Sequence, residues 1–253
     1  MKVISVVNRK GGVAKTATAL TLGAGLKQRG YKVLYIDLDS QGNLTTNLNI
    51  SNPLNTAFNI FSKGSKAIEC ITSENGNDLI ASGSDLSIID LVLANSIGAE
   101  YRLTESLECL RTSNSYDFVI IDTAPALNLL VANALTASDS VVIPVQADAF
   151  SYDGLTDIVQ VIASIKKYSN KNLEINGVLI TRYSNKSIIS KTLKKELTEL
   201  AKDLGTRVYT NPIRECIAVK EAQLQNVDLL TYSPKCNASI DYQSFIDELL
   251  QTI

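Results

Sequence analysis

The chain has 253 residues, 45% of them hydrophobic and 20% charged, enough for one large α/β core of ordinary folded composition. It has no histidine, which excludes Ser-His-Asp and Cys-His catalysis and any histidine-ligated metal. Net charge is only −2, yet the stretch from Gln160 to Lys220 holds 12 Lys/Arg against 5 Asp/Glu, a bias that can mark a polyanion-binding face.

The first element, Val3–Val7, is too short for a signal-peptide core and runs straight into Asn8-Arg9-Lys10, so it reads as a strand. Asn8-Arg9-Lys10-Gly11-Gly12-Val13-Ala14-Lys15-Thr16 follows, and a helix over Lys15–Arg29 begins there. A strand, a glycine loop and a helix in that order aim backbone N–H groups and a helix N-terminus at an anion. Lys15 is placed to neutralise β- and γ-phosphates and the Thr16 hydroxyl to ligate Mg²⁺; Val13, Ala14 and Ala17 complete the loop and first turn. The standard pattern G-x-x-x-x-G-K-[ST] fails, because Arg9 and Ala14 occupy both glycine positions. The deviant form K-G-G-x-x-K-T fits, with Lys10 as a second lysine.

A second strand, Val33–Ile36, leads into Asp37-Leu38-Asp39-Ser40-Gln41-Gly42-Asn43. Carboxylates two residues apart on a strand point the same way, here toward the phosphate loop. Ser51–Asn55 and Ser73–Asn77 read as surface loops, and Asp78–Ala81 as a weaker strand. Phe118–Ile121 is a strand tipped by Asp122-Thr123-Ala124-Pro125, in which Asp122 is suited to hold Mg²⁺ through a water and Thr123–Leu127 to sense a γ-phosphate. A helix over Leu127–Ala137 follows, then strand Val141–Val145, helix Tyr152–Lys167, strand Ile175–Thr181 and helix Ser187–Leu204. A weak strand at Arg207–Tyr209 and a helix over Ala238–Leu250 complete the series. Continuously apolar strands alternating with helices predict a doubly wound, mostly parallel sheet flanked by helices, one domain over residues 1–253, with ligands at the carboxyl ends of its strands.

The loop K-G-G-x-x-K-T and the run Asp37-Leu38-Asp39-Ser40-Gln41-Gly42-Asn43 together resemble the ParA family of DNA-partitioning ATPases, within the wider ParA/MinD class of P-loop NTPases. The likeness continues through Asn133-Ala134-Leu135, Val142-Ile143-Pro144-Val145-Gln146, Gly154-Leu155 and Gly177–Arg182, and is weakest over Ile50–Tyr116. The resemblance implies that Lys10 reaches across a dimer interface to the partner's nucleotide. It also implies that Asp37 supports the Mg²⁺ shell, that Asp39 orients the attacking water, and that Arg182, Pro212, Ile213 and Arg214 lie near the base. Ala14 departs from the usual family loop, K-G-G-V-G-K-T, by one methyl where phosphate and backbone come close. Starting directly at the first strand, the chain resembles the short ParA type without an N-terminal helix-turn-helix. DNA is then expected on the ATPase surface, at Lys186, Lys191, Lys194, Lys195, Arg214 and Lys220, through sequence-independent phosphate contacts.

These expectations amount to a cytoplasmic, nucleoid-associated ATPase that uses ATP and Mg²⁺, forms an ATP-bound homodimer and answers to a ParB-like or ribbon-helix-helix centromere-binding partner. The alternatives are a MinD-like positioning ATPase, an ATP-binding scaffold with little hydrolysis, or a related amide- or ring-forming synthetase. Against the first, the tail Tyr242–Ile253 carries Asp247 and Glu248 and no Lys or Arg, so an anionic membrane has nothing to attract. No apolar run approaches a membrane span. Cys70, Cys109, Cys216 and Cys236 form no C-x-x-C pair and read as small apolar residues in a reducing compartment.

Overall fold

Short runs of Val, Ile and Leu, covered by helices, form the strands of the computed structural model, which describes residues 1–146, 148 and 151–253. In chain order the elements begin with β1 (Lys2–Val6), α1 (Lys15–Gln28), β2 (Val33–Leu38), α2 (Asn43–Asn47) and α3 (Ala57–Lys63). They continue with β3 (Ile71–Glu74), β4 (Asn77–Ile80), α4 (Ile89–Val92), α5 (Arg102–Ser113), β5 (Phe118–Thr123), α6 (Leu129–Ala137) and β6 (Ser140–Gln146). The last are α7 (Ser151–Tyr168), β7 (Glu174–Thr181), α8 (Ile188–Asp203), α9 (Ile217–Leu224), α10 (Leu229–Tyr232) and α11 (Asn237–Leu250).

The strands form one seven-stranded sheet in the order β3-β4-β2-β5-β1-β6-β7. All neighbours pair in parallel except β3 with β4. The order reverses around β1, so the crevice for a ligand opens at the carboxyl end of that strand. Alternate residues of one strand serve opposite layers. Ile4, Tyr35 and Ile120 face α1 and α11, whereas Val3, Leu34, Ile36 and Ile121 face α3, α5 and α6. A third cluster under α7 and α8 closes the β6–β7 edge.

α1 lies almost wholly buried between the sheet and α11, and two glycines let it come that close. A Cβ on Gly23 would stand 2.3 Å from the Tyr35 ring, and one on Gly25 would stand 2.3 Å from Ile246. The C-terminal helix packs inward with Tyr242, Phe245, Ile246 and Leu249, all essentially buried. Its apolar face is thus spent on the core.

The predicted parallel strands are present, with boundaries moved by one or two residues. Three expectations need correction. Ser73–Asn77 is not a plain loop but the tip of the β3–β4 hairpin, with Asn75 and Gly76 both at positive φ as a two-residue primed turn demands. Arg207–Tyr209 is not a strand. It makes a single parallel bridge, Val178 with Val208, along the outer edge of β7. The helix expected from Leu127 begins at Leu129, because the Asn128 side chain accepts the Val131 amide at 3.2 Å and caps it there.

Candidate active site

The glycine loop leaves β1 and is pinned before it turns. Asn8, buried, donates to the Pro144 carbonyl at 2.7 Å and accepts the Lys10 amide at 2.9 Å. On the far side Thr181 of β7 donates to the Val13 carbonyl at 3.1 Å. Gly12 and Ala14 both adopt left-handed backbone, with φ of 78° and 68°. Ala14 is the N-cap of α1, so a residue with a Cβ holds the conformation for which glycine is suited. From this turn Lys15 folds back into the crevice and donates to the Lys10 carbonyl at 3.0 Å. Burial pulls its pKa down, while Asp122 and Asp39 partly restore it.

Three carboxylates close the floor, and they differ in condition. Asp37 and Asp122 are direct neighbours across β2 and β5, both fully buried. Asp37 accepts the Asp39 amide at 3.1 Å on one oxygen, and the Thr45 amide and hydroxyl, each at 2.8 Å, on the other. Its pKa is pushed up to about 6 by burial, against those hydrogen bonds. Neither oxygen of Asp122 has a hydrogen-bond partner. Burial first, and Asp37 second, push it up to about 8, and the nearby Thr16 hydroxyl and Lys15 ammonium pull the other way without closing a bond. Asp39 sits just past β2, lines the crevice and accepts the Gln41 amide at 3.0 Å.

Asp37, in β2, and Asp39, just past it, therefore do not point the same way as their spacing predicted. Asp39 faces the cavity, while Asp37 is turned into the N-terminus of α2. Among the described residues no three acidic or cysteine side chains form a ready-made metal cage. A divalent cation here would need Thr16 and ligand phosphates as its inner ligands. An orphaned buried carboxylate beside a threonine hydroxyl fits a hard, oxygen-seeking cation such as Mg²⁺.

The cavity measures about 610 Å³ and brings together Gly11, Gly12, Ala14, Lys15, Thr16, Ala17 and Asp39 with Arg182, Ile213 and Arg214 from the other end of the chain. Val13 is buried behind the loop, and Pro212 is not part of the lining. The segment 213–215 runs parallel beside the chain just past β7, since the Tyr183 amide donates to the Ile213 carbonyl at 2.9 Å and the Glu215 amide to the Tyr183 carbonyl at 3.0 Å. Arg182 stands at positive φ and pairs with Glu215 at 3.3 Å. Arg214, expected near the base and among the DNA contacts, is committed elsewhere. Its guanidinium forks onto Asp241 at 2.8 and 2.7 Å, and its amide donates to the same carboxylate at 2.9 Å. It therefore ties the cavity wall to α11.

Sequence reasoning missed Asp241 and Tyr242. Tyr242 lines the cavity, and its hydroxyl lies 3.0 Å from that of Thr18. Only the stacking of α11 on α1 brings them there.

Lys10, expected to serve a second protomer, is ion-paired with Asp148 of its own chain. The remaining lysines divide. Lys186, Lys191 and Lys195 are exposed at and ahead of the first turns of α8. Lys194 lies back over the Tyr183 ring and donates to the Thr210 carbonyl at 3.1 Å. Lys220 is exposed but stands on the rim of the cavity, apart from the α8 group.

Residues 1–175 match a family model described as an AAA domain. The chain is 34% identical to the chromosome partitioning protein ParA of Caulobacter vibrioides, over 99% of this chain and 94% of that protein. It is 33% identical to the sporulation initiation inhibitor protein Soj of Bacillus subtilis, over 98% of each. Among solved structures, the cobyrinic acid a,c-diamide synthase of Mycobacterium smegmatis with a bound ATP analogue and magnesium is 28% identical, with a TM-score of 0.85 over 99% of this chain and 95% of that one.

Proposed function

The chain belongs to the ParA family of partitioning ATPases, and on that premise we propose that residues 1–253 act as a single P-loop domain that binds ATP with Mg²⁺, dimerises around it and holds DNA without regard to sequence. The observation that carries this reading is the convergence of Lys15, Thr16 and Asp39 on one cavity above the buried, unpartnered carboxylate of Asp122.

In this reading the loop amides and Lys15 cradle the phosphates, and Lys15's desolvated ammonium offsets their charge with little screening. Thr16 and Asp122 are the residues that would hold Mg²⁺, which supplies neutralisation of the β- and γ-phosphate charge. Asp37 buttresses them through α2. Asp39 accepts a hydrogen bond from the attacking water and orients it. A single carboxylate positions the water without a strong base to deprotonate it, so basal hydrolysis is slow until a partner protein completes the site. Lys10 has to leave Asp148 to reach a second protomer's nucleotide, which supports a dimer that forms only when phosphate outcompetes the carboxylate. The exposed lysines at α8 then hold DNA phosphates. A ParB-like or ribbon-helix-helix protein at the DNA cargo triggers release, and the protein stays in the cytoplasm on the nucleoid rather than on a membrane. The synthase shares the nucleotide-binding fold; the matches to ParA and Soj, higher in identity over a like share of each chain, favour partitioning.

The test is Asp39→Ala. ATP binding should persist, turnover should vanish, and light scattering with ATP and Mg²⁺ should show a dimer. A monomer at saturating nucleotide, or wild-type turnover in the variant, overturns the reading.

A further inference from the structure

Two of the four cysteines, twenty residues apart in sequence, meet at the edge of the nucleotide cavity. Cys216 is the N-cap of α9 and Cys236 the N-cap of α11. Both are partly buried against the same apolar cluster, and the Cys216 side chain is among the neighbours that act on the Cys236 thiol. The backbone fixes this meeting. Arg214, two residues before Cys216, forks onto Asp241 and donates to the Asn237 carbonyl at 3.3 Å, so segment 214–216 is clamped to the first turn of α11. Cys216 lines the nucleotide cavity and Cys236 lies outside it.

The surroundings suit a reactive thiol. Cys236 is at the N-terminus of a 14-residue helix, accepts the Ser239 amide at 3.4 Å and lies 3.2 Å from the Ser239 hydroxyl. Burial raises its pKa, but the hydrogen bonds from Ser239, Cys216 and Ser233 outweigh that and hold it below the ordinary value. A helix N-terminus and a nearby guanidinium are the settings in which thiolates form. Cys70 is the contrast, a buried thiol on the opposite face of the sheet pushed up to about 11 by desolvation and Glu69.

We propose that Cys216 and Cys236 form a reversible disulfide under mild oxidation by a peroxide, a redox-sensitive staple on the wall of the nucleotide cavity. The Cys236 thiolate attacks a peroxide oxygen, the O–O bond breaks and one water leaves, giving a sulfenic acid. The Cys216 thiolate attacks that sulfur, the S–O bond breaks and a second water leaves. Two thiols lose two electrons, and one hydrogen peroxide becomes two waters. The bond closes a loop containing α9 and α10 and fixes a wall residue of the cavity. Nucleotide occupancy and oxidation are therefore coupled in both directions; this second half rests on the proposed ATP site.

The full-length protein is treated with hydrogen peroxide, remaining thiols are capped with iodoacetamide, and peptides are mapped by mass. The expected product is one linked pair joining Cys216 to Cys236, reversed by dithiothreitol, with Cys70 and Cys109 still capped. Cys236→Ser, which keeps a capping hydroxyl on α11, should lose the link while retaining the wild-type circular dichroism spectrum. Separate sulfinic acids at the two positions, or equally fast oxidation of Cys70 and Cys109, overturns the staple. Saturating ATP with Mg²⁺ should slow the link by at least about five-fold. If calorimetry shows ATP binding to the reduced protein and the rate is unchanged, the coupling is wrong; if ATP does not bind, the ATP reading fails and the staple is judged on the nucleotide-free reaction alone.

Discussion

Replacing Ala14 with glycine should make this protein more stable, although the substitution removes a methyl group. Ala14 caps α1 with φ 68° and ψ 34°. In that conformation the Cβ of an L-residue crowds the following carbonyl oxygen, at a cost of roughly 1–2 kcal/mol. Glycine removes the crowding, but its freer unfolded chain returns about 0.4–1 kcal/mol of that gain. The balance is on the order of 0.5–1 kcal/mol in favour of Ala14→Gly. For a domain of this size that corresponds to a rise in Tm of about 1–4 °C in nucleotide-free calorimetry. Ala14→Ser keeps a Cβ and should show no such rise, which separates backbone relief from any change of side-chain contact. If the empty loop relaxes out of the left-handed turn, the same energy reappears as tighter ATP binding, by at most about five-fold at 1 kcal/mol. A lower Tm for Ala14→Gly, or an unchanged Tm together with unchanged ATP affinity, would refute the claim that this position is strained.

Three further outcomes are expected. Asp122 in the folded protein keeps its proton up to about pH 8, whereas the unfolded chain releases it near 3.8. The folded state thus binds the extra proton in that interval, and stability without divalent cation should fall as pH rises from about 4 to 8. Asp122→Asn should flatten the curve, and a curve that keeps its slope in that variant would put the titration elsewhere. Gly23→Ala drives a methyl into the Tyr35 ring and should destabilise by about 1–3 kcal/mol in urea unfolding; an unaffected midpoint would mean that α1 can move away at no cost. Lys191→Ala and Lys195→Ala should each weaken ATP-dependent DNA binding for every sequence alike. Each should also flatten the slope of log K against log salt by about one to two units in a dimer, because one substitution removes two contacts. Anisotropy titrations at several salt concentrations measure this, and an unchanged slope would remove α8 from the DNA surface.

The sequence alone determined whatever is contiguous along the chain. The phosphate loop is one unbroken run, Lys10 to Thr16, and β1 and α1 on either side follow from its flanking periodicity. The acids Asp37, Asp39 and Asp122 were legible because each ends an apolar strand, and parallel strands put their carboxyl ends on one edge. The β3–β4 turn is legible too, since Asn75-Gly76 is a strong hairpin signal, but its short, polar flanking strands give the stretch the pattern of a loop. Other features depended on packing between distant segments. Whether Ala14 is strained, whether Asp122 has a partner and whether Asp37 faces the cavity or α2 are decided by backbone angles and neighbours that residue spacing does not encode. The cavity's far wall was decided by α11 lying on α1. That contact spans more than two hundred residues and is permitted by Gly25 against Ile246. It brings Tyr242 to the cavity, Asp241 to Arg214 and Cys236 to Cys216, and no local pattern in any of those segments specifies its partner.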